Sequence, residues 1–278
     1  MFENRKLIIA TKHHKERVIA PILEQELGVQ CFIDETFDTD LLGTFTGEVD
    51  REQDAIETAR EKCLQAMEKN NCDLGIASEG SFAPHPTLFF IHADDEILIF
   101  IDKKNDLEII VRILSTETNF NATEIYSKEE LKTFAYKAQF PSHALIIKKS
   151  KNDYEGILKG ISSWDIISTK CEELIKMFGS AYVETDMRAM HNPTRMKVIE
   201  KTTQKLVAKI KSCCPHCARP GFGITAIKEG LPCSLCGNPT QSIKSHLYEC
   251  EKCSYTDEVL FPNEKETEDP MYCNHCNP

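Results

Sequence analysis

No stretch of this sequence is apolar for long enough to cross a bilayer, which takes about 20 such residues. Met1–Ala10 lacks the charged, apolar and small-residue plan of a signal peptide. Without a secretion signal, thirteen cysteines point to a reducing compartment, where thiolates hold metal rather than pair as disulfides. The expectation is a cytoplasmic protein with no membrane partner. Internal repeats, low-complexity tracts and long linkers are also missing, and 278 residues leave room for one large domain and a small module. Positive charge is scarce, with 33 Lys and Arg against 44 Asp and Glu. From Ser212 onward five basic residues face nine acidic ones. Phosphate-backbone binding needs a basic face, so the tail argues against nucleic acid as a partner.

What the tail does have is cysteine in pairs. Cys214/Cys217, Cys233/Cys236, Cys250/Cys253 and Cys273/Cys276 are each spaced Cys-x-x-Cys. Two thiolates on one tight knuckle can face one metal, and two knuckles complete the tetrahedral four-sulfur set that zinc prefers. The spacings suit zinc ribbons, so the eight cysteines are expected to bind two structural zinc ions. Pairing the first knuckle with the second and the third with the fourth satisfies the spacing; a nested arrangement fits almost as well. Cys213 has no partner at the right offset. Four sulfurs leave zinc no open position for water, so chemistry belongs upstream.

Upstream, Lys6–Ala10 reads as a buried strand and Glu16–Leu27 as an amphipathic helix ended by Gly28. Between them Thr11–Lys15 forms a basic strand-to-helix loop, a common seat for anions in α/β sheets. Val29–Ile33 suits a second strand, Leu42–Glu48 a loop, and Asp50 with Gln53 a cap for the next helix. Asp73–Ser78 reads as a strand ending at Glu79-Gly80-Ser81, a placement typical of catalytic or metal-binding carboxylates. Thr87–Ile91 and Glu96–Asp102 read as further strands, with Ala93-Asp94-Asp95 as the hairpin between them. Leu107–Leu114 reads as a strand or else a short helix, and His143–Lys148, Gly156–Ile161 and Ala181–Thr185 complete the strands. Helices are expected from Ser127 to Ala138, from Ser162 to Phe178, and from Asn192, a capping residue followed by proline, to Lys211. Arg188 and Arg195 bracket that last start as an anion pocket, or else pair with Glu184 and Asp186. Lys197, Lys201, Lys205 and Lys209 line one face of the helix. The fold expected is α/β, a mixed sheet flanked by helices over 1–211 (a core to 120 and an extension beyond), with a small zinc-ribbon-like module binding two zinc ions over 212–278.

Ala10-Thr11-Lys12-His13, Ser78-Glu79-Gly80-Ser81-Phe82, the run Glu184–Met196 and the knuckled tail together resemble, over nearly the full length, an uncharacterised family of bacterial proteins, a domain of unknown function. Over Lys6–Asp102 the order strand, Ala-Thr, basic loop, helix, then Ala55–Arg60, then Asp73–Gly80, is similar to the inosine/xanthosine triphosphate pyrophosphatase superfamily. That resemblance implies Thr11, His13 and Lys15 on a triphosphate and Glu57 and Glu79 on magnesium. His13 stands where the superfamily has asparagine, Lys15 is displaced by one position, and Glu79 replaces an aspartate motif.

Two functions follow as expectations. One is a Mg2+-dependent phosphohydrolase or nucleotide-binding enzyme, with Glu57, Glu79 and Lys15 as catalytic residues and Thr11, His13, Arg188 and Arg195 on the anion. The other is a non-enzymatic module in which two zinc sites present a surface to a protein partner.

Overall fold

The computed structural model describes residues 1–37 and 54–278. The chain forms two compact units, Met1–Val207 and Ala208–Pro278. Among the described residues no helix is long and apolar enough to cross a membrane.

The first unit begins with a five-stranded mixed sheet. Its strands are β1 (Lys6–Ala10), β2 (Gln30–Phe32), β3 (Leu74–Pro84), β4 (His92–Asp102) and β5 (Leu107–Ser115), in the order β2-β1-β3-β4-β5. β1 pairs parallel with both β2 and β3, and the β3-β4-β5 meander is antiparallel. Helix α1 (Glu16–Leu27) ends on Gly28 in the left-handed conformation, as its composition predicts. Helix α2 (Ala55–Lys69) is capped by Asp54, whose Oδ1 accepts from the N–H groups of Ile56 and Glu57 at 2.8 and 3.0 Å. The expected cap, Asp50 with Gln53, and the Leu42–Glu48 loop lie outside the described residues; the described helix begins on Asp54.

Alternation along β3 decides which helix each residue meets. Ala77 joins Ala59, Cys63, Ala66 and Met67 of α2 in one apolar cluster, and Glu79 reaches Lys62 of the same helix. Ser78 and Gly80 face the other side. Two expectations need correction here. β3 does not stop at Ser78: it continues through Glu79, Gly80 and Ser81 to Pro84, because β4 supplies a partner at every position. Conversely Thr87–Ile91 is no strand but lies in the β3–β4 connection. Pro84 and Pro86 flank it without N–H groups to donate, and the His85 Nδ1 accepts from Thr87 and Leu88 at 3.2 and 3.0 Å. Ala93-Asp94-Asp95 therefore sits inside β4.

A second, wholly antiparallel sheet has the order β6-β9-β7-β8, from β6 (Ala122–Ile125), β7 (Leu145–Lys148), β8 (Leu158–Ile161) and β9 (Ala181–Thr185). Its core is built with α3 (Lys128–Lys137) and α4 (Trp164–Phe178) from Leu131, Phe134, Leu145, Ile147, Ile167 and Val183, among others. Strand β6 was not apparent from the sequence pattern. Ser127 caps α3, accepting from the Glu130 N–H at 3.2 Å. Helix α5 (Pro193–Lys211) starts on Asn192, whose Oδ1 accepts from the Arg195 N–H at 3.0 Å. Asn192 and Arg195 are 0% and 1% exposed, so this helix start is locked in the interior.

The second unit carries a three-stranded antiparallel sheet, β10 (Ile224–Glu229), β11 (Ile243–Glu249) and β12 (Thr256–Leu260), with β11 in the centre.

Candidate functional site

Charge is buried where β1 gives way to its loop. Lys15, at the start of α1, is 6% exposed and donates from Nζ to the Ser78 carbonyl at 3.1 Å and the Ser78 hydroxyl at 2.9 Å. Burial, and then the neighbouring Arg195, push its ammonium pKa down to about 8. Arg195 donates from Nε to Glu96 Oε1 and from Nη1 to the Met187 carbonyl, both at 2.5 Å, and its guanidinium lies 5.1 Å from the centre of the Phe82 ring. Gly80 makes that crossing possible. It pairs with Glu96 across the hairpin, and a Cβ there would stand 2.4 Å from both Glu96 Oε1 and Arg195 Nη2.

Asp94 lies on the same strand face as Glu96, two residues away, and both are 0% exposed. Neither oxygen of Asp94, nor Glu96 Oε2, has a hydrogen-bond donor. Two ionised carboxylates cannot satisfy each other, and a proton held on Asp94 and donated to Glu96 removes the conflict. Burial, followed by the charge of Glu96, pushes the Asp94 carboxyl up to about 8. On the α2 side of β3, Glu79 accepts from Lys62 at 2.5 Å, again buried. Three basic groups (Lys15, Lys62, Arg195) thus meet two carboxylates (Glu79, Glu96) and a protonated Asp94 in the buried interior, where unpaired charge would cost several kcal/mol.

The expected site residues divide. Glu79 and Arg195 both come within electrostatic range of Lys15. The Thr11 hydroxyl, at the head of the same loop, is shielded from solvent and has no partner. His13 is partly exposed in that loop. Glu57 is elsewhere in character: half-exposed on the first turn of α2, it pairs with Arg60, which also forks onto Glu108 of β5 at 2.9 and 2.6 Å. Arg188 pairs with Asp186 and Arg195 with Glu96, so only one of the two arginines follows the salt-bridge alternative.

Arg188 defines a second, more open group. Asp186 accepts from its Nε at 3.0 Å and its Nη2 at 2.6 Å. The His191 ring lies beside it and feels the charge of His14 from the loop after β1. Burial first, then Arg188 and His14, depress the His191 pKa against the opposing pull of Asp186. Sequence reading missed Asp94, Glu96, Lys62, His14 and His191. The two histidines stood inside motifs already singled out, whereas Asp94 was hidden by a misplaced hairpin.

In the second unit the thiols gather in two fours: Cys214, Cys217, Cys250 and Cys253, and Cys233, Cys236, Cys273 and Cys276. The pairing is interleaved, neither sequential nor nested. Sulfur separations are 3.7 Å for Cys214–Cys253, 3.6 Å for Cys217–Cys250, 3.9 Å for Cys233–Cys276 and 3.6 Å for Cys236–Cys273. Zn–S bonds of about 2.3 Å place tetrahedral sulfurs roughly 3.8 Å apart, so both sets fit zinc. The knuckles repeat one turn, in which the N–H of Ala218, Gly237, Ser254 or Asn277 donates to the carbonyl of the first cysteine. Knuckle N–H groups also stabilise thiolate: that of Cys253 draws the Cys250 thiol down to about 6, and that of Cys276 draws Cys273 to about 7. Among the described residues, these are the sets of three or more His, Cys, Asp or Glu able to hold a metal.

The chain is therefore a mixed α/β protein carrying two four-cysteine sites compatible with structural zinc. It belongs to a family described as a domain of unknown function, DUF6671, whose profile matches residues 62–278. No curated protein matches the chain. The matched stretch contains the eight ligand cysteines, Glu79, Asp94, Glu96, Arg188, His191 and Arg195; the loop Thr11–Lys15 precedes it.

Proposed function

We propose that the α/β unit binds a small phosphate-bearing ligand, such as a nucleotide, where the Thr11–Lys15 loop meets Arg188, and that two structural zinc ions hold the second unit. The observation that carries this reading is convergence. His191, beside Arg188 in the β9–α5 connection, comes within electrostatic range of His14 of the loop that follows β1. Three groups able to donate to an anion thus come from two remote stretches of chain. Thr11 adds a hydroxyl without a partner.

Hydrolysis with magnesium is the finer reading. Glu57 and Glu79 would hold the metal, but Glu79 must first exchange Lys62 for it, and Glu57 must part from Arg60. Binding is accordingly the stronger proposal. Nucleoside triphosphates, common and deaminated, are expected to raise the melting temperature by several degrees at millimolar concentration, as any native-state ligand does. Arg188→Gln should remove most of that shift. A flat response to all of them, with and without Mg2+, would count decisively against the reading.

The zinc unit supports a second role. Ile224, Ile227 and Val259 are 48%, 52% and 42% exposed and share one face of the sheet, in register through Tyr248 and His246, and the unit is acidic. Those features suit a basic protein partner with an apolar centre. Cross-linking in cell extract should yield a partnered species that is lost in the Ile227→Ser/Val259→Ser variant while its metal content is unchanged. A species that persists in the variant assigns the contact to another surface.

A further inference from the structure

Resting on the phosphate reading above, we propose that Arg188, His191 and His14 form the subsite for a terminal phosphate dianion, and that His191 takes up a proton as the anion binds. Nothing in the family description assigns these residues a role.

The site is built rather than incidental. Asp186 is 0% exposed and spends its oxygens on four donors. These are the Gly160 N–H at 2.9 Å, the Arg188 N–H at 3.1 Å, and the Arg188 Nε and Nη2. Its charge is consumed in fixing one guanidinium plane, and Arg188 Nη1 is left uncommitted among the described residues. A guanidinium held through one edge presents its remaining N–H groups in a fixed direction, the geometry that phosphate oxygens match.

Gly160 closes the arrangement from β8. Its φ is +71°, and a Cβ there would stand 2.9 Å from His191 Nε2 and 3.3 Å from Arg188 Nη2. The strand backbone thus lies against both side chains and holds the ring beside the guanidinium. Each side chain, the guanidinium through its uncommitted Nη1 and the ring through Nε2, can offer a nitrogen to one tetrahedral anion. The His191 ring makes no side-chain hydrogen bond among the described residues, so Nε2 is open to a ligand. His14, in the loop before α1 with Glu16 3.4 Å from its Nδ1, acts on the ring electrostatically.

The groups acting on His191 are Asp186 and Arg188 from its own segment and His14 from across the site. Burial, aided by Arg188 and His14 and opposed by Asp186, favours the neutral ring when the site is empty. A dianion reverses the sign of that local field and favours imidazolium. Binding and proton uptake are then linked, so affinity rises as pH falls. A phosphomonoester end, with two charges, suits three basic groups better than a singly charged diester.

Sulfate is the probe, because it stays doubly charged through the whole pH range and any pH dependence belongs to the protein. Calorimetry at constant ionic strength is expected to show sulfate binding about tenfold tighter at pH 6 than at pH 8, with proton uptake revealed by buffers of different ionisation enthalpy. His191→Asn should leave weak binding with a clearly smaller pH dependence and less proton uptake, and Arg188→Lys should weaken binding at both values. Wild-type binding that ignores pH overturns the proton-coupled subsite and leaves the phosphate reading standing. Nucleoside triphosphates that stabilise the protein while sulfate does not bind would do the same. Failure of both ligands removes the subsite and the phosphate reading together.

Discussion

Stripping the metal with a strong chelator is expected to unfold Ala208–Pro278 and to release two zinc ions per chain, while the α/β unit keeps its secondary structure. The reason is scale. The second unit is small, and its strands β10 and β12 are exposed at every residue, so little apolar surface is buried. Structural zinc contributes on the order of 10–16 kcal/mol of apparent binding energy, more than the entire net stability of an ordinary small domain. Amide signals from the second unit should collapse to random-coil positions and return on adding zinc. A unit that keeps its dispersion after metal loss would show that the sheet stands without its staples. Replacing Cys233 by serine should lower the metal content to about one ion per chain and loosen that end of the sheet.

Arg195→Met is expected to cost about 3–5 kcal/mol, the usual penalty for leaving a buried charge without its partner, and to lower the melting temperature by on the order of 10 °C. Glu96 would then sit in the interior beside Asp94 with its main counter-charge gone. Asp94→Asn should behave in the opposite way, because asparagine imitates the protonated acid. The folded carboxyl holds its proton up to about pH 8, whereas the unfolded chain releases it near 3.8. Between those values the folded state binds the extra proton, so this group's contribution to stability is full at low pH and is lost as pH rises towards 8. Lys15 acts in the other window: it loses its proton near 8 in the folded state and 10.5 in the unfolded one, so it adds stability as pH rises between them. Melting curves from pH 5 to 8 should slope downward for the wild type relative to Asp94→Asn, with the variant the more stable at pH 8. Parallel curves would mean that Asp94 and Glu96 are both ionised or both solvated.

Local signals in the sequence carried most of the first unit. Gly28 ends α1, Asn192 and Pro193 start α5, and the strands β1 and β9 are plain, because caps and short apolar runs act over a few residues. Glu79 was placed at a strand end because Gly80 and Ser81 look like a turn. Their strand conformation comes from β4, a partner that no window around Glu79 contains. The same long-range pairing concealed Asp94 and Glu96, since charges at core positions read as solvent until Arg195, about a hundred residues later, arrives to meet them. Cysteine identity was legible from spacing, but the partnership of knuckles was not, because it depends on strands. Each interval between knuckles holds one strand, and each strand carries the chain to the opposite end of the sheet. The first and third knuckles must share one end, and the second and fourth the other.

That alternation also governs assembly during synthesis. A ribosome that has released Cys236 but not yet Cys250 has delivered four thiols that belong to two different centres, and neither can close. The first centre completes only at Cys253 and the second only at Cys276, so each early knuckle must stay reduced and uncommitted while its mate is still being translated. Nascent chains stalled between these points would hold metal through incomplete pairs, which makes metal supply and thiol protection at the exit tunnel a determinant of yield.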